Sequence, residues 1–399
     1  MTLTSANNGQ TFNNYRISTT SGPCVTITGA TNITISNFNI GPCGGVAGSL
    51  QDTDANGVEL QKSSNIKVVD SYIHTETDCA TGGSSPIYTH DAIMDQSGVN
   101  NLFQGNVFLA SNNGISTGSS FPAPTTTGDI IRGNFGINAT SSCYTGQGNI
   151  LSIYSQHATV DQNYVVSCVN GGGGPGNGLN CSAVPGLIGT PQHNGRAGGD
   201  DIACGSYDTN ESTNTMSITN NYIVGDTGGS DTCILTWHGC HGATITGNIG
   251  VDCGGPSGAS FDAVAGSGTL SNNHSFNNNQ TISPTCCSFA FEDFSQAAAG
   301  DTGFAWSLTN NLGDTIWSDG SHGTEYCGVF SPPLYGCPAA GVTQSGNTFG
   351  AGADGGLTLT STPSQIEAVV GAPPLIPPHP ASCVVKSPYT TQTSLPSCP

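Results

Sequence analysis

Apolar and polar residues alternate along this chain in bursts of three to five positions, and the bursts recur. They read TNITISNFNIG (31–41), SNIKVVDSYIH (64–74), VNNLFQGNVFL (99–109), GDIIRGNFGI (128–137), HATVDQNYVV (157–166), NTMSITNNYIV (214–224), GATITGNIGV (242–251), GTLSNNHSF (268–276) and SLTNNLG (307–313). Each is a short alternating strand, a polar turn usually holding Asn, and a second short strand. The turn positions Asn37, Ser71, Asn106, Asn134, Asn163, Asn221, Asn248, Asn273 and Asn311 lie 25 to 38 residues apart, except for one gap of 58 between Asn163 and Asn221. That gap equals two periods, or one period with an insertion.

A second phrase precedes most of these units: NGVEL (56–60), DAIMD (91–95), NGIST (113–117), NILSIY (149–154), DDIACG (200–205), TCILTW (232–237) and DAVAG (262–266). Each period therefore holds three short strands. Such a unit cannot bury its apolar side alone, so successive units must stack, which pairs every backbone group and builds one continuous core. Stacking also predicts an amide ladder of Asn along the turn column. The expected architecture is all-β: a single-stranded parallel β-helix (solenoid) of about nine to eleven coils, cored by Ile, Val, Leu and Phe.

The D/N-G-I strand followed by N-I-T-I-x-x-N-x-I resembles right-handed parallel β-helices of the pectin-lyase-like superfamily over about residues 20 to 315. The resemblance implies the right-handed fold. It leaves function open among polysaccharide lyases, glycoside hydrolases, epimerases, tailspikes and passive adhesins. Residues 1–317 are assigned to the β-helix, with 168–199 as a Gly-rich excursion that Cys168 and Cys181 can staple. Residues 318–399 form a Pro- and Cys-rich C-terminal tail, expected as a cap or packed arm.

Composition narrows the partners. Hydrophobic residues make up 35% of the 399, and 57 Gly bring the total near an ordinary globular share. Six Lys and Arg against 26 Asp and Glu give a net charge of −20, which disfavours nucleic acid and anionic lipid. The 16 Cys include no C-x-x-C, so disulfides in an oxidising compartment are expected, among them Cys24–Cys43, Cys327–Cys337 and Cys383–Cys398. Six N-x-S/T sequons, at Asn32, Asn138, Asn180, Asn210, Asn273 and Asn279, are open to glycosylation in a host that performs it. With no charged-then-apolar leader at Met1 and no long apolar run, the chain reads as a mature secreted protein without a membrane span.

Candidate chemistry gathers on the second phrase. Aligning it yields a column of Asn56, Asp91, Asn113, Asn149, Asp200, Asp231 and Asp262. With coils ~4.8 Å apart, Asp200 would stand ~5 Å from Asp231 and ~10 Å from Asp262. Those separations bracket the carboxylate distances of retaining and inverting glycosidases. Asp and Asn at such a corner can equally serve the turn backbone. Asp201 is different, because the other coils place Gly, Ala or Thr there, or Ile at position 150, and none places an acid. The GDD sequence is similar to the acidic pair of polygalacturonase-type glycoside hydrolases, and Trp237-His238-Gly239 to that family's His-Gly element. The resemblance makes Asp200, Asp201 and His238 the catalytic candidates. The family's Arg-x-Lys clamp has no counterpart, which points to a neutral glycan.

A lyase would use Arg196 to neutralise a uronate, with Ca²⁺ on Asp200, Asp201 and Asp231, which are hard oxygen ligands; a surface ion pair is the other account of Arg196. Cys233, His238, Cys240 and His241 have zinc-ligand types but equally suit disulfides. Trp237 is the candidate sugar platform, and Asp91, with His90 beside it, a further candidate at the glycan site. The sequence thus favours a secreted polysaccharide-active protein, hydrolase before lyase. The alternative is a structural, adhesive or fibre-forming surface protein capable of self-association.

Overall fold

The computed structural model describes residues 1–19, 21–43, 56–74, 91–110, 113–118, 126–138, 150–167, 201–205, 215–225, 232–236, 240–251, 253, 260–263, 266–276, 289–291, 305–313, 326–327, 342–349, 353, 355–357 and 361–370. Three strands per period become three parallel sheets of eleven strands each, and every strand pairs with its equivalents one coil before and after. The fold is a parallel β-helix of eleven coils. The first sheet runs from Thr2–Thr4 to Tyr326–Cys327, the second from Thr11–Asn13 to Val342–Ser345, and the third from Arg16–Thr19 to Thr348–Phe349. The eleventh coil is drawn from residues beyond 317. Asn163 hydrogen-bonds directly to Asn221, so the gap of 58 residues is one period with an insertion.

Alternation decides which side chains enter the core. In the second sheet Ile35, Val68, Phe103, Ile131, Val160, Ile218, Ile245, Leu270 and Leu308 stack in register and are 0–2% exposed. Burying each such side chain stabilises by about 1.5–3 kcal/mol, and stacking makes like side chains bury one another. The third sheet is apolar on both faces. Ile40, Ile73, Phe108, Val165 and Ile223 point inward, whereas Tyr72, Val107, Phe135, Tyr222, Val224, Ile249, Val251 and Phe276 form a second cluster outside. Leu357 and Ile366 complete that outer cluster, with Val369 and Val370 packed against it. The last three stand on or at the end of the helix Pro363–Val370, so the chain folds back on its own wall.

The corner between the second and third sheets has one recurring conformation. Asn37, Asp70, Gly105, Gly133, Gln162, Asn220, Gly247, Asn272, Asn310 and Gly346 all have positive φ, which Gly and Asn tolerate best. The residue that follows each forms the ladder. Asn106 Nδ2 and N both donate to Asn134 Oδ1, at 3.1 and 3.0 Å, and the motif repeats through Asn163, Asn221, Asn248, Asn273, Asn311 and Asn347. The second Nδ2 hydrogen of Asn106 goes to Val68 O at 2.8 Å. Every carboxamide is thereby saturated inside the wall, as buried polar groups must be. Asn37 was expected in this column but takes the left-handed position instead; Phe38 stands in the ladder register, its N–H bonded to Ser71 Oγ. The sequon at Asn273 lies in the ladder at 0% exposure, so it cannot carry a glycan in the folded protein.

Disulfides close two like corners. Cys24–Cys43 staples coil 2 and Cys233–Cys253 staples coil 8, both between the third sheet and the first, while Cys204–Cys240 joins coil 7 to coil 8. Cys233 and Cys240 are therefore oxidised in separate bridges, and the zinc grouping with His238 and His241 does not form.

Candidate functional site

Of the expected site residues, Asp200, His238, Arg196, Trp237 and Asp231 lie outside the described residues, as do Asn149 and His90. Asp201 and Asp91 are described, and both are interior. Asp201 is 2% exposed. The pairing of Ile202 with Leu151 and Ile234 puts Asp201 in a corner column with Gly57, Ala92, Gly114, Ile150, Cys233 and Ser260. Its carboxylate approaches the Cys233 and Cys253 sulfurs within 4.8 Å, but the bridge between them leaves no thiolate to hold a metal. Asp91 is 0% exposed, and its Oδ1 accepts from Asn113 Nδ2 at 3.0 Å. Its own N–H donates to Asn56 Oδ1 at 3.3 Å, so Asp91 serves a short polar ladder at the corner.

Asn56, Asp91 and Asn113 share one register, as the aligned column expects, but Asp262 does not join it. Ile202 pairs with Ile234, which aligns Asp201 with Cys233. Asp262 pairs with Leu235 and so stands level with Ala203, three residues past the position 200 with which it was aligned. Insertions between coils change the spacing of phrases without changing which strand atoms pair, and the hydrogen-bonded ladder alone sets the register.

Two features were not foreseen. The first is a polar interruption of the core at coils 4 to 6. Coil 4 carries Asp91–Asp95 and Leu102–Gln104, coil 5 Asn113–Thr117 and Ile130–Arg132, and coil 6 Leu151–Ile153 and Thr159–Asp161. Asp95 and Asp129 are both 0% exposed. Asn101 bridges them, donating from Nδ2 to Asp95 Oδ2 at 2.6 Å and from its backbone N–H to Asp129 Oδ1 at 2.9 Å. Burial pushes the Asp95 carboxyl up to about 6. Burial, and then the nearby Asp95 charge, hold Asp129 well above the usual carboxylate range. The signal was present in the sequence: DAIMD ends on an acid where the two preceding coils have Ile27 and Leu60.

The second feature is the difference between outer faces. On the first sheet the outward row is closed at Glu59, Ser116, Ser152, Ala203 and Leu235, which are only 2–5% exposed, with Met94 between the first two half-buried. The second sheet is open. From coil 7 onward its outward pairs are Ser217/Thr219, Thr244/Thr246, Thr269/Ser271, Ser307/Thr309 and Thr343/Ser345, none of them buried. Hydroxyls thus repeat every ~4.8 Å along the stack and ~6.7 Å along each strand. Earlier coils carry Thr34 and Ser36, Gln104, and a pair at 3.1 Å between an exposed Arg132 and a mostly covered Asp161 on the same face. Among the described residues no helix is long and apolar enough to cross a membrane.

No protein-family model matches the chain, and no curated protein sequence matches it. Among solved structures it is similar to PfbA, a surface adhesin of Streptococcus pneumoniae, at 11% identity over 74% of this chain and 60% of that chain, with a TM-score of 0.41. A further structure of that adhesin gives 11% identity, 85% and 66% coverage, and a TM-score of 0.34. The A-module of the mannuronan C-5 epimerase AlgE6 of Azotobacter vinelandii gives 11%, 88% of this chain, 83% of that chain and 0.32. This chain thus spans about three-fifths to two-thirds of the adhesin's length. At this level the likeness says nothing about a site.

Proposed function

We propose that this chain is an extracellular glycan-binding β-helix protein that presents the outer face of its second sheet to a neutral, extended polysaccharide. The observation that carries the reading is the open double row of hydroxyls on coils 7 to 11, set against the closed outer row of the first sheet. An extended sugar chain offers hydroxyls at a regular repeat, and a straight face of Ser and Thr can exchange hydrogen bonds with it along several coils. A net charge of −20 repels polyanions, so the ligand class is neutral. Three disulfides among the described residues support an oxidising, extracellular setting. Co-sedimentation with insoluble cellulose, chitin and β-glucan tests it. The parent should pellet with at least one of them, and Thr244→Arg with Thr269→Arg should weaken that binding by tenfold or more (roughly 1.4 kcal/mol). Binding to none, or equal binding by the double variant, refutes the proposal.

One observation favours hydrolysis as a second reading: Asp201 is a carboxylate in a corner column otherwise made of Gly, Ala, Ile, Cys and Ser. Its burial counts against attack on a bulky substrate. Assaying the same glycans for new reducing ends separates the two readings. Cleavage that Asp200→Asn and Asp201→Asn each abolish would establish the hydrolase.

A further inference from the structure

We propose that coils 4 to 6 enclose a cation site of the hard, calcium type, held by Asp95 and Asp129 with the hydroxyls of Thr117, Thr126 and Ser155. Three core rows change character there together. The row Ile27, Leu60, Asp95, Thr117, Ile153 is apolar on either side of its two polar members. So is the row Ile33, Ile66, Asn101, Asp129, Ala158, Met216. The corner row beside them runs Ser63, Gly98, Thr126, Ser155, one residue before the bridged positions Ser64, Val99, Thr127 and Gln156. All of these polar side chains are 0–1% exposed except Ser63, at 2%.

Five buried oxygens in this one corner have no hydrogen-bond partner: Asp95 Oδ1, Thr117 Oγ1, Thr126 Oγ1, Asp129 Oδ2 and Ser155 Oγ. They come from three successive coils. Asp95 and Thr117 are direct cross-strand neighbours, and the Ser155 hydroxyl faces Asp129 without closing a well-formed hydrogen bond. Gly98 makes the room: a Cβ there would collide with both Asp95 carboxylate oxygens and with Asn101 Nδ2. Burying two carboxylates with unmet lone pairs is costly unless an opposite charge accompanies them. The described cations Arg16, Lys62, Lys67 and Arg132 are all exposed, so none of them compensates. Two carboxylates match a divalent charge, and carboxylate plus hydroxyl oxygens are donors that Ca²⁺ accepts in its flexible shell of 6–8 oxygens, with backbone carbonyls or water completing it. These residues are distinct from Asp200, Asp201 and Asp231.

The test begins with protein dialysed against EDTA, then titrated with CaCl₂ while calorimetry reads binding and circular dichroism reads the melting temperature. Calcium should bind stoichiometrically and raise the melting temperature. Thr117→Val, which keeps side-chain shape, should weaken binding by about tenfold or more. Asp95→Leu with Asp129→Ala restores the residues found in neighbouring coils; it should fold and melt identically in calcium and in EDTA. Asp161→Asn, on the outer face, should respond like the parent. No calcium response in the parent overturns the proposal and leaves a shared proton as the neutralising species. A response that survives in the Asp95→Leu/Asp129→Ala protein overturns it equally, because the ion would then be held elsewhere.

Discussion

Replacing Asn163 by Ala should destabilise the protein by several kcal/mol, although the residue touches no surface. Asn163 is 0% exposed and sits mid-ladder. Its Oδ1 accepts from the Asn134 backbone N–H at 3.0 Å and from Asn134 Nδ2 at 2.9 Å. Its Nδ2 donates to Ile131 O at 3.0 Å and Asn221 Oδ1 at 2.9 Å. Alanine removes all four bonds. Asn134 keeps its bond to Phe103 O, but its backbone N–H and second amide hydrogen are left buried without an acceptor. Each such orphan costs about 1–3 kcal/mol, so two give roughly 2–6 kcal/mol, and the cavity left by the lost carboxamide adds to it. Asn347→Ala is the internal control: it ends the described ladder, is only partly buried, and leaves its neighbours nearer water. Urea denaturation followed by circular dichroism, with hydrogen exchange of the Asn134 amide, measures both effects. A loss below about 1 kcal/mol for Asn163→Ala, or equal losses in the two variants, would refute the ladder as a stabilising element.

Other consequences can be measured on the same protein. Cys24→Ser with Cys43→Ser opens a bridge spanning 19 residues and should cost about 2–4 kcal/mol, read as a lower urea midpoint. His274 is held down to about 4 by burial, so the unfolded chain protonates before the folded one. Its stabilising contribution is therefore complete above about pH 6.5 and is lost as pH falls towards 4, by roughly 2–3 kcal/mol. The stability of His274→Gln should fall less steeply than the parent's across that window; parallel curves would sink the assignment. Ile366→Asp should undock the helix from the outer face of the third sheet and increase binding of a hydrophobic dye. An unchanged dye signal would show that the helix does not protect that face.

The wall was legible because its cause is local. Alternation over three residues fixes which side chains face the core, and a left-handed corner selects Gly or Asn just before the ladder residue. Register was less legible, because its cause is not local. Asn37 looks like a ladder member because Asn also suits the left-handed position one residue earlier. Asp262 resembles Asp200 in its local phrase, yet a turn of different length carries it three positions along the strand. The polar corner at Asp95 and Asp129 was hidden for a related reason. Its members come from three coils and meet only when those coils stack. Cys204–Cys240 was likewise beyond counting, since several cysteines lie at comparable separations. The open face of the second sheet escaped notice because alternation tells inward from outward and not which outward faces stay uncovered.

The three bridges differ in what they would do under tension. Cys24–Cys43 and Cys233–Cys253 each close a loop within one coil, so peeling one coil from the next leaves their covalent loops intact. Cys204–Cys240 ties neighbouring coils across a separation of 36 residues. A stack pulled from its ends would unzip row by row, but this bridge withholds roughly 120 Å of extensible chain until it is reduced. The boundary between coils 7 and 8 is therefore a mechanical stop whose release is controlled by redox potential rather than by load.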